Sequence, residues 1–100
     1  MIVRYTPKSL EDLREIKGYI EEVLCNQIAA NNITNKIIKT CSVLKKYPYI
    51  GHSLEEKIGQ PSEMRYIISD RYIILYNIES ECVSIIRILD TRTNFLSTLF

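Results

Sequence analysis

Three β-rich runs in quick succession constrain this chain more than any other feature: Met64 to Ser69, Tyr72 to Ile78 and Cys82 to Leu89. Ser69-Asp70-Arg71 separates the first two, and Glu79-Ser80-Glu81 separates the last two. Links that short join antiparallel neighbours, because a parallel pair needs a crossover of about a dozen residues or more. The C-terminal third is therefore an antiparallel meander.

The residues ahead of it follow a different period. Ile2 to Tyr5 predicts a short strand, closed by Thr6-Pro7. Ser9-Leu-Glu-Asp12 predicts a helix start, with Ser9 capping and Glu11 and Asp12 at the positive end of the dipole. Leu10, Leu13, Ile16, Ile20, Val23 and Leu24 then recur at three- and four-residue steps, the spacing of an amphipathic helix. Asn26-Gln27 predicts a break. A second helix starts at Ile28 or Asn31 and runs to Lys46, with Ile33, Ile37, Cys41 and Leu44 as its stripe. Tyr47-Pro48-Tyr49-Ile50-Gly51 ends it, and His52 to Ser62 reads as a polar loop. The order is β-α-α-β-β-β, an α+β fold with a helix hairpin packed on one face of a small antiparallel sheet. The other face of that sheet is expected to stay open. Strand alternation places Arg65 with Ile67, and Arg87 with Val83, Ile85 and Leu89. At 100 residues the chain fits a single domain, 1–100, large enough for one core without staples.

Few chemistries suit this composition. The net charge of +1 supplies no global basic field, whereas a dedicated nucleic-acid binder is usually far more basic. Cys25, Cys41 and Cys82 are widely spaced, and His52 is the sole histidine. A zinc site needs about four clustered ligands, so no metal or cofactor is expected, and the thiols fit a reducing compartment. The N-terminus lacks the basic-then-apolar order of a signal peptide, and no apolar run is long enough to span a bilayer. A cytoplasmic location and no membrane partner are expected.

The arginines of the C-terminal half are the candidate functional side chains. Arg87 lies among Ile85, Ile86, Ile88 and Leu89, where burial without a partner is costly. It marks a site or a fixed polar contact inside the fold. Arg92 stands just past the strand end. RNA cleavage by 2′-hydroxyl attack needs a base, an acid and cations for the developing charge. Arg65, Arg71 and Arg92 can supply charge, but no good base stands beside them, and His52 and Glu55-Glu56 belong to the polar loop. Tyr66, Tyr72 and Tyr76 read as sheet packing.

Five segments, in order, resemble the RelE/ParE superfamily of bacterial toxins, and most closely its ParE-like, plasmid-stabilisation branch. They are Tyr5-Thr-Pro with Asp12-Leu-x-x-Ile16-x-x-Tyr19-Ile20; Leu44-x-x-Tyr47-Pro-x-x-Gly51; Met64-Arg65; Asp70-Arg-Tyr-Ile-Ile-Leu-Tyr76; and Arg87-Ile-Leu-Asp-Thr-Arg92. The resemblance implies the toxin of a type II toxin–antitoxin pair, which inhibits growth by binding DNA gyrase. It also implies a cognate antitoxin whose flexible segment wraps the toxin, in a toxin–antitoxin hetero-oligomer. The alternatives are a RelE-like endoribonuclease that cuts mRNA on the ribosome, and a degenerate, non-toxic member. The family often has glycine where Thr91 stands, a cation at Thr93, aspartate at Asn94 and tyrosine at Phe95. RelE-like proteins tend to carry an arginine where Ile73 stands. These departures favour protein binding over RNA cutting. Arg65, Arg71, Arg87, Arg92 and Phe95 are the target-binding or charge-stabilising candidates. Leu96, Leu99 and Phe100 are the antitoxin-binding candidates, unless they cover the toxin's own core.

Overall fold

Thr6, and not Ser9, starts the first helix. The computed structural model describes residues 1–93. In it Thr6 Oγ1 accepts from the Ser9 N–H at 3.2 Å, and Pro7 occupies the first helical position, where a missing N–H costs nothing. After the strand β1 (Ile2–Tyr5), the helix α1 therefore covers Pro7–Glu22. Glu11 and Asp12 lie beyond its first turn, so the expected dipole role does not apply to them. Asn26 caps the second helix, α2 (Gln27–Val43), through a 2.9 Å bond from the Ala29 N–H. Short polar side chains at those two positions stop the backbone amides from going unpaired.

His52 to Ser62 is not a plain polar loop. It holds a two-residue strand, β2 (His52–Ser53), and a short helix, α3 (Leu54–Ile58), which ends at Gly59 in the left-handed region at φ 71°. The meander follows as β3 (Arg65–Ser69), β4 (Tyr72–Ile78) and β5 (Cys82–Asp90). The sheet has five strands in the order β1-β5-β4-β3-β2. The pairs from β2 to β5 are antiparallel, but β1 lies parallel to β5, with Ile2 opposite Cys82 and Tyr5 opposite Ile85. The expected architecture therefore holds, with one parallel edge and one extra strand. The turn predicted at Ser69-Asp70-Arg71 is tight, and Asp70 takes a left-handed conformation at φ 53°.

The helix hairpin covers one face. Ile37, Cys41 and Leu44 pack against Tyr72, Ile74, Tyr76, Val83, Ile85 and Ile88. Burial pushes the Cys41 thiol up to about 11, so it stays protonated at neutral pH. The opposite face, expected to be open, is partly covered. There Leu54 of α3 joins Ile73 and Leu75, with Ile58, Met64, Tyr66 and Leu89 around them. Coverage on both faces explains why Tyr72 to Tyr76 are all buried, as in a central strand. No helix among the described residues is long and apolar enough to cross a membrane.

One irregularity decides where the C-terminal arginines point. The β4–β5 register shifts between Leu75 and Tyr76, which face Arg87 and Ile85. A bulge of that kind inserts one residue and resets the alternation beyond it. Val83, Ile85 and Ile88 thus share the helix-covered core, while Leu89 joins the other cluster. The simple alternation that grouped Arg87 with Val83, Ile85 and Leu89 does not survive the bulge.

Candidate functional site

β1 stops pairing with β5 at Tyr5 and Ile85, and the rest of that edge belongs to α1. Asp12, on the inner face of α1, reaches the exposed edge. Its Oδ2 accepts from the Ile88 N–H at 3.0 Å, satisfying an amide that β1 no longer reaches. The same carboxylate takes both Nε and Nη2 of Arg87, at 2.7 and 2.9 Å. This is a bidentate, charge-assisted pair and nearly buried, with Asp12 at 5% and Arg87 at 16% side-chain exposure. The hydrogen bonds to Asp12 hold the Arg87 guanidinium above its ordinary value, against the opposing effect of burial. Arg87 is a fixed polar contact between α1 and β5.

Further along β5 a second carboxylate organises the strand exit. Asp90 faces two arginines: Arg71 Nε lies 3.5 Å from Oδ2, and Arg92 donates from Nε and Nη2 at 3.3 and 3.2 Å. The Arg92 N–H adds a 2.9 Å bond, and Thr93 donates from its hydroxyl to the Asp90 carbonyl at 2.7 Å. Across the sheet, Thr91 binds the Arg71 carbonyl through both its N–H and its hydroxyl, each at 2.7 Å. Arg71 also stacks toward Tyr72, 5.3 Å from the ring centroid, and donates from Nε to its hydroxyl at 3.2 Å. Burial pushes the Asp90 carboxyl up, but the hydrogen bonds from Arg92 and the charges of Arg92 and Arg71 outweigh it, and the net displacement is downward. A lowered carboxyl contributes stability that is complete above the unfolded value of about 3.9 and is lost as pH falls through the folded value. Asp90→Asn is expected to flatten the acid limb of a stability-against-pH curve below about pH 4. An unchanged acid limb in urea titrations would show that the cluster carries no such linkage.

The two carboxylates and three arginines line one open groove of about 420 Å³ between α1 and the end of β5, with Tyr19 and Tyr72 in its walls. The structure thus brings Arg71, Arg87 and Arg92 together. Arg65 stands apart: it opens β3, whereas Arg71 follows its far end, roughly 17 Å along an extended strand. Arg65 Nη2 binds the backbone carbonyls of Gly51 and Tyr49 at 2.6 and 3.2 Å. His52 is remote from the groove as well, on β2 at the opposite edge of the sheet, with its ring 5.4 Å from that of Tyr66. Glu55 Oε1 accepts from the Ser62 N–H at 3.0 Å. The groove therefore concentrates positive charge already paired with carboxylates, and the candidate bases lie elsewhere. Phe95, Leu96, Leu99 and Phe100 lie outside the described residues.

The sequence reading missed Asp12 and Asp90 as counter-charges. A usable signal existed for Asp12. It falls on the inward stripe with Ser9, Ile16 and Ile20, so an acid stood among core positions of a helix while an arginine stood among core positions of a strand. Two opposite charges on apolar faces call for each other. Asp90 gave no comparable signal, since a carboxylate at a strand end is ordinary.

Comparison with known proteins matches this arrangement to one family. Residues 3–95 match the family described as the ParE toxin of the type II toxin–antitoxin system parDE. The fold is similar to a chain from the chromosomal ParDE toxin–antitoxin system of P. aeruginosa, with a TM-score of 0.77 and 17% sequence identity, over 92% of this chain and 97% of that one. No curated protein matches.

Proposed function

The chain belongs to the ParE toxin family of type II toxin–antitoxin systems, and from that premise we propose that it arrests growth in the cytoplasm by binding DNA gyrase and is neutralised by a cognate antitoxin. The observation that carries the binding reading is the state of the arginine groove. Arg71, Arg87 and Arg92 are tied to Asp90 and Asp12, and His52 stands at the other edge of the sheet. A ribonuclease needs a base within about 3 Å of the proton that it takes, and no histidine lines the groove. A protein partner needs only shape, charge and apolar contact. Antitoxin binding draws support from the apolar residues left exposed near the hairpin tip, including Tyr19, Val23, Leu24 and Ile28.

Purified toxin is expected to block supercoiling by DNA gyrase in a reconstituted assay, with activity restored by the product of the adjacent reading frame. Toxin in excess that leaves supercoiling intact while transcripts are cut on ribosomes would establish the RelE-like alternative instead. Equal growth with and without the adjacent frame would count against an antitoxin.

A further inference from the structure

Between the end of α2 and β2, the fold leaves three large side chains outside and yet holds the backbone beneath them firmly. Tyr47, Tyr49 and Ile50 are 53%, 68% and 53% exposed. Below them the buried Tyr76 hydroxyl accepts from the Gly51 N–H at 3.2 Å and donates to the Pro48 carbonyl at 2.8 Å. Arg65 clamps the Tyr49 and Gly51 carbonyls, and its guanidinium carbon lies 5.4 Å from the Tyr49 ring centroid. The Ile50 N–H closes a turn onto the Tyr47 carbonyl at 3.1 Å. Gly51 has no space for a Cβ, because the Tyr66 carbonyl and the Tyr76 hydroxyl already fill it. Connecting segments are ordinarily the most mobile parts of a fold; this one is pinned from two strands.

Such rigidity has a direct use in binding. Aromatic side chains on a backbone already in place lose little entropy when a partner covers them, and tyrosine is enriched among the residues that dominate interface energetics. Lys46 to Ile50 line an open hollow of about 390 Å³. Lys46 Nζ lies 5.6 Å from the Tyr47 ring centroid. Lys45 and Lys46 make no ion pair among the described residues.

We propose that Tyr47, Tyr49 and Ile50, with Lys45 and Lys46, form the surface that grips the toxin's protein target. The target meets it with an apolar side chain in the hollow and carboxylates opposite the two lysines. This assignment rests on the protein-binding reading above and adds to it which surface makes the contact. It leaves the arginine groove and the hairpin tip to the antitoxin. A protein fits better than a nucleic acid, because a net charge of +1 provides no field for a phosphate backbone. Each ring also has a cation of the chain's own beside it, which offsets the anionic stacking that a nucleic acid would need.

Tyr49→Ala and Lys46→Glu test the assignment, since both positions are exposed and neither change removes a buried contact. With DNA gyrase as the probe, each is expected to weaken binding at least about tenfold. Binding to the adjacent-frame product, thermal unfolding and affinity for a 20-nucleotide single-stranded DNA should stay as in the unaltered chain. Unchanged gyrase binding by both variants overturns the proposal. So does a loss confined to antitoxin binding, or to the DNA oligonucleotide. If the unaltered toxin leaves gyrase untouched, the gyrase reading fails on its own, and growth arrest decides the surface. Arrest abolished by both variants with antitoxin binding intact sustains the proposal; arrest retained by both, or absent from the unaltered chain, overturns it.

Discussion

Asp12→Ala is expected to destabilise the fold by about 3–5 kcal/mol, the usual consequence of stripping one partner from a buried ion pair. The size follows from what the substitution strands. Arg87 keeps its charge at 16% exposure with both of its carboxylate bonds gone. The Ile88 N–H, which donates to the same carboxylate at 3.0 Å, is orphaned at a sheet edge that no strand covers. Each stranded group carries its own desolvation penalty. Replacing both partners, as Asp12→Ala with Arg87→Met, should recover much of the loss, because an apolar pair of similar volume is often close to neutral. Urea unfolding of the two single variants and the double variant measures the coupling. A loss below about 1 kcal/mol for Asp12→Ala would mean that the pair is solvated, as exposed pairs of that strength are.

Leu54→Ala is expected to cost about 2–5 kcal/mol, the range for emptying a buried leucine site. Leu54 is fully buried against Ile73 and Leu75 and is the one residue of α3 that belongs to the core. A five-residue helix has no stability of its own, since nucleation is unfavourable at that length. Removing the leucine should therefore release α3 as a unit and uncover the second face of the sheet. Urea unfolding gives the energy, and hydrogen exchange should show faster exchange across 54–59. A change under about 0.5 kcal/mol would mean that this segment is the polar surface loop its composition suggested.

The second prediction marks a place where the sequence was hard to read. His52 to Ser62 contains one residue, Leu54, that the sheet cannot do without, surrounded by polar residues on every side. A single apolar residue in a polar run carries no period, so nothing local separates it from an ordinary exposed leucine. The helix starts were misplaced for a related reason. Thr6 and Ser9 are both capable caps, and the choice between them turned on Pro7, whose fixed φ suits the first helical position.

The candidate site divides along the same line. Arg71, Arg87 and Arg92 were visible as candidates because charge in or beside an apolar strand is conspicuous. What they do was not visible, because their partners are chosen by distance in space. Asp12 and Arg87 are separated by 75 positions. Asp90 serves Arg71 from across a strand pair whose register ends at Tyr72 and Asp90.

Hydrophobic period and turn chemistry, both local, were enough to determine the order of strands and helices, the antiparallel meander and the face of each helix that is buried. They also carried the family resemblance, since its motifs sit at the ends of those elements. Folding in three dimensions decided the rest: the parallel seat of β1 on β5, the bulge that turns Arg87 toward α1, the closing of the second face by α3, and the clamping of Tyr47 to Gly51 by Tyr76 and Arg65. A pattern along the chain specifies which faces seek burial. It cannot specify which buried charge meets which, or where a strand runs out beside a bare amide, because those depend on distances that exist only once the sheet is assembled.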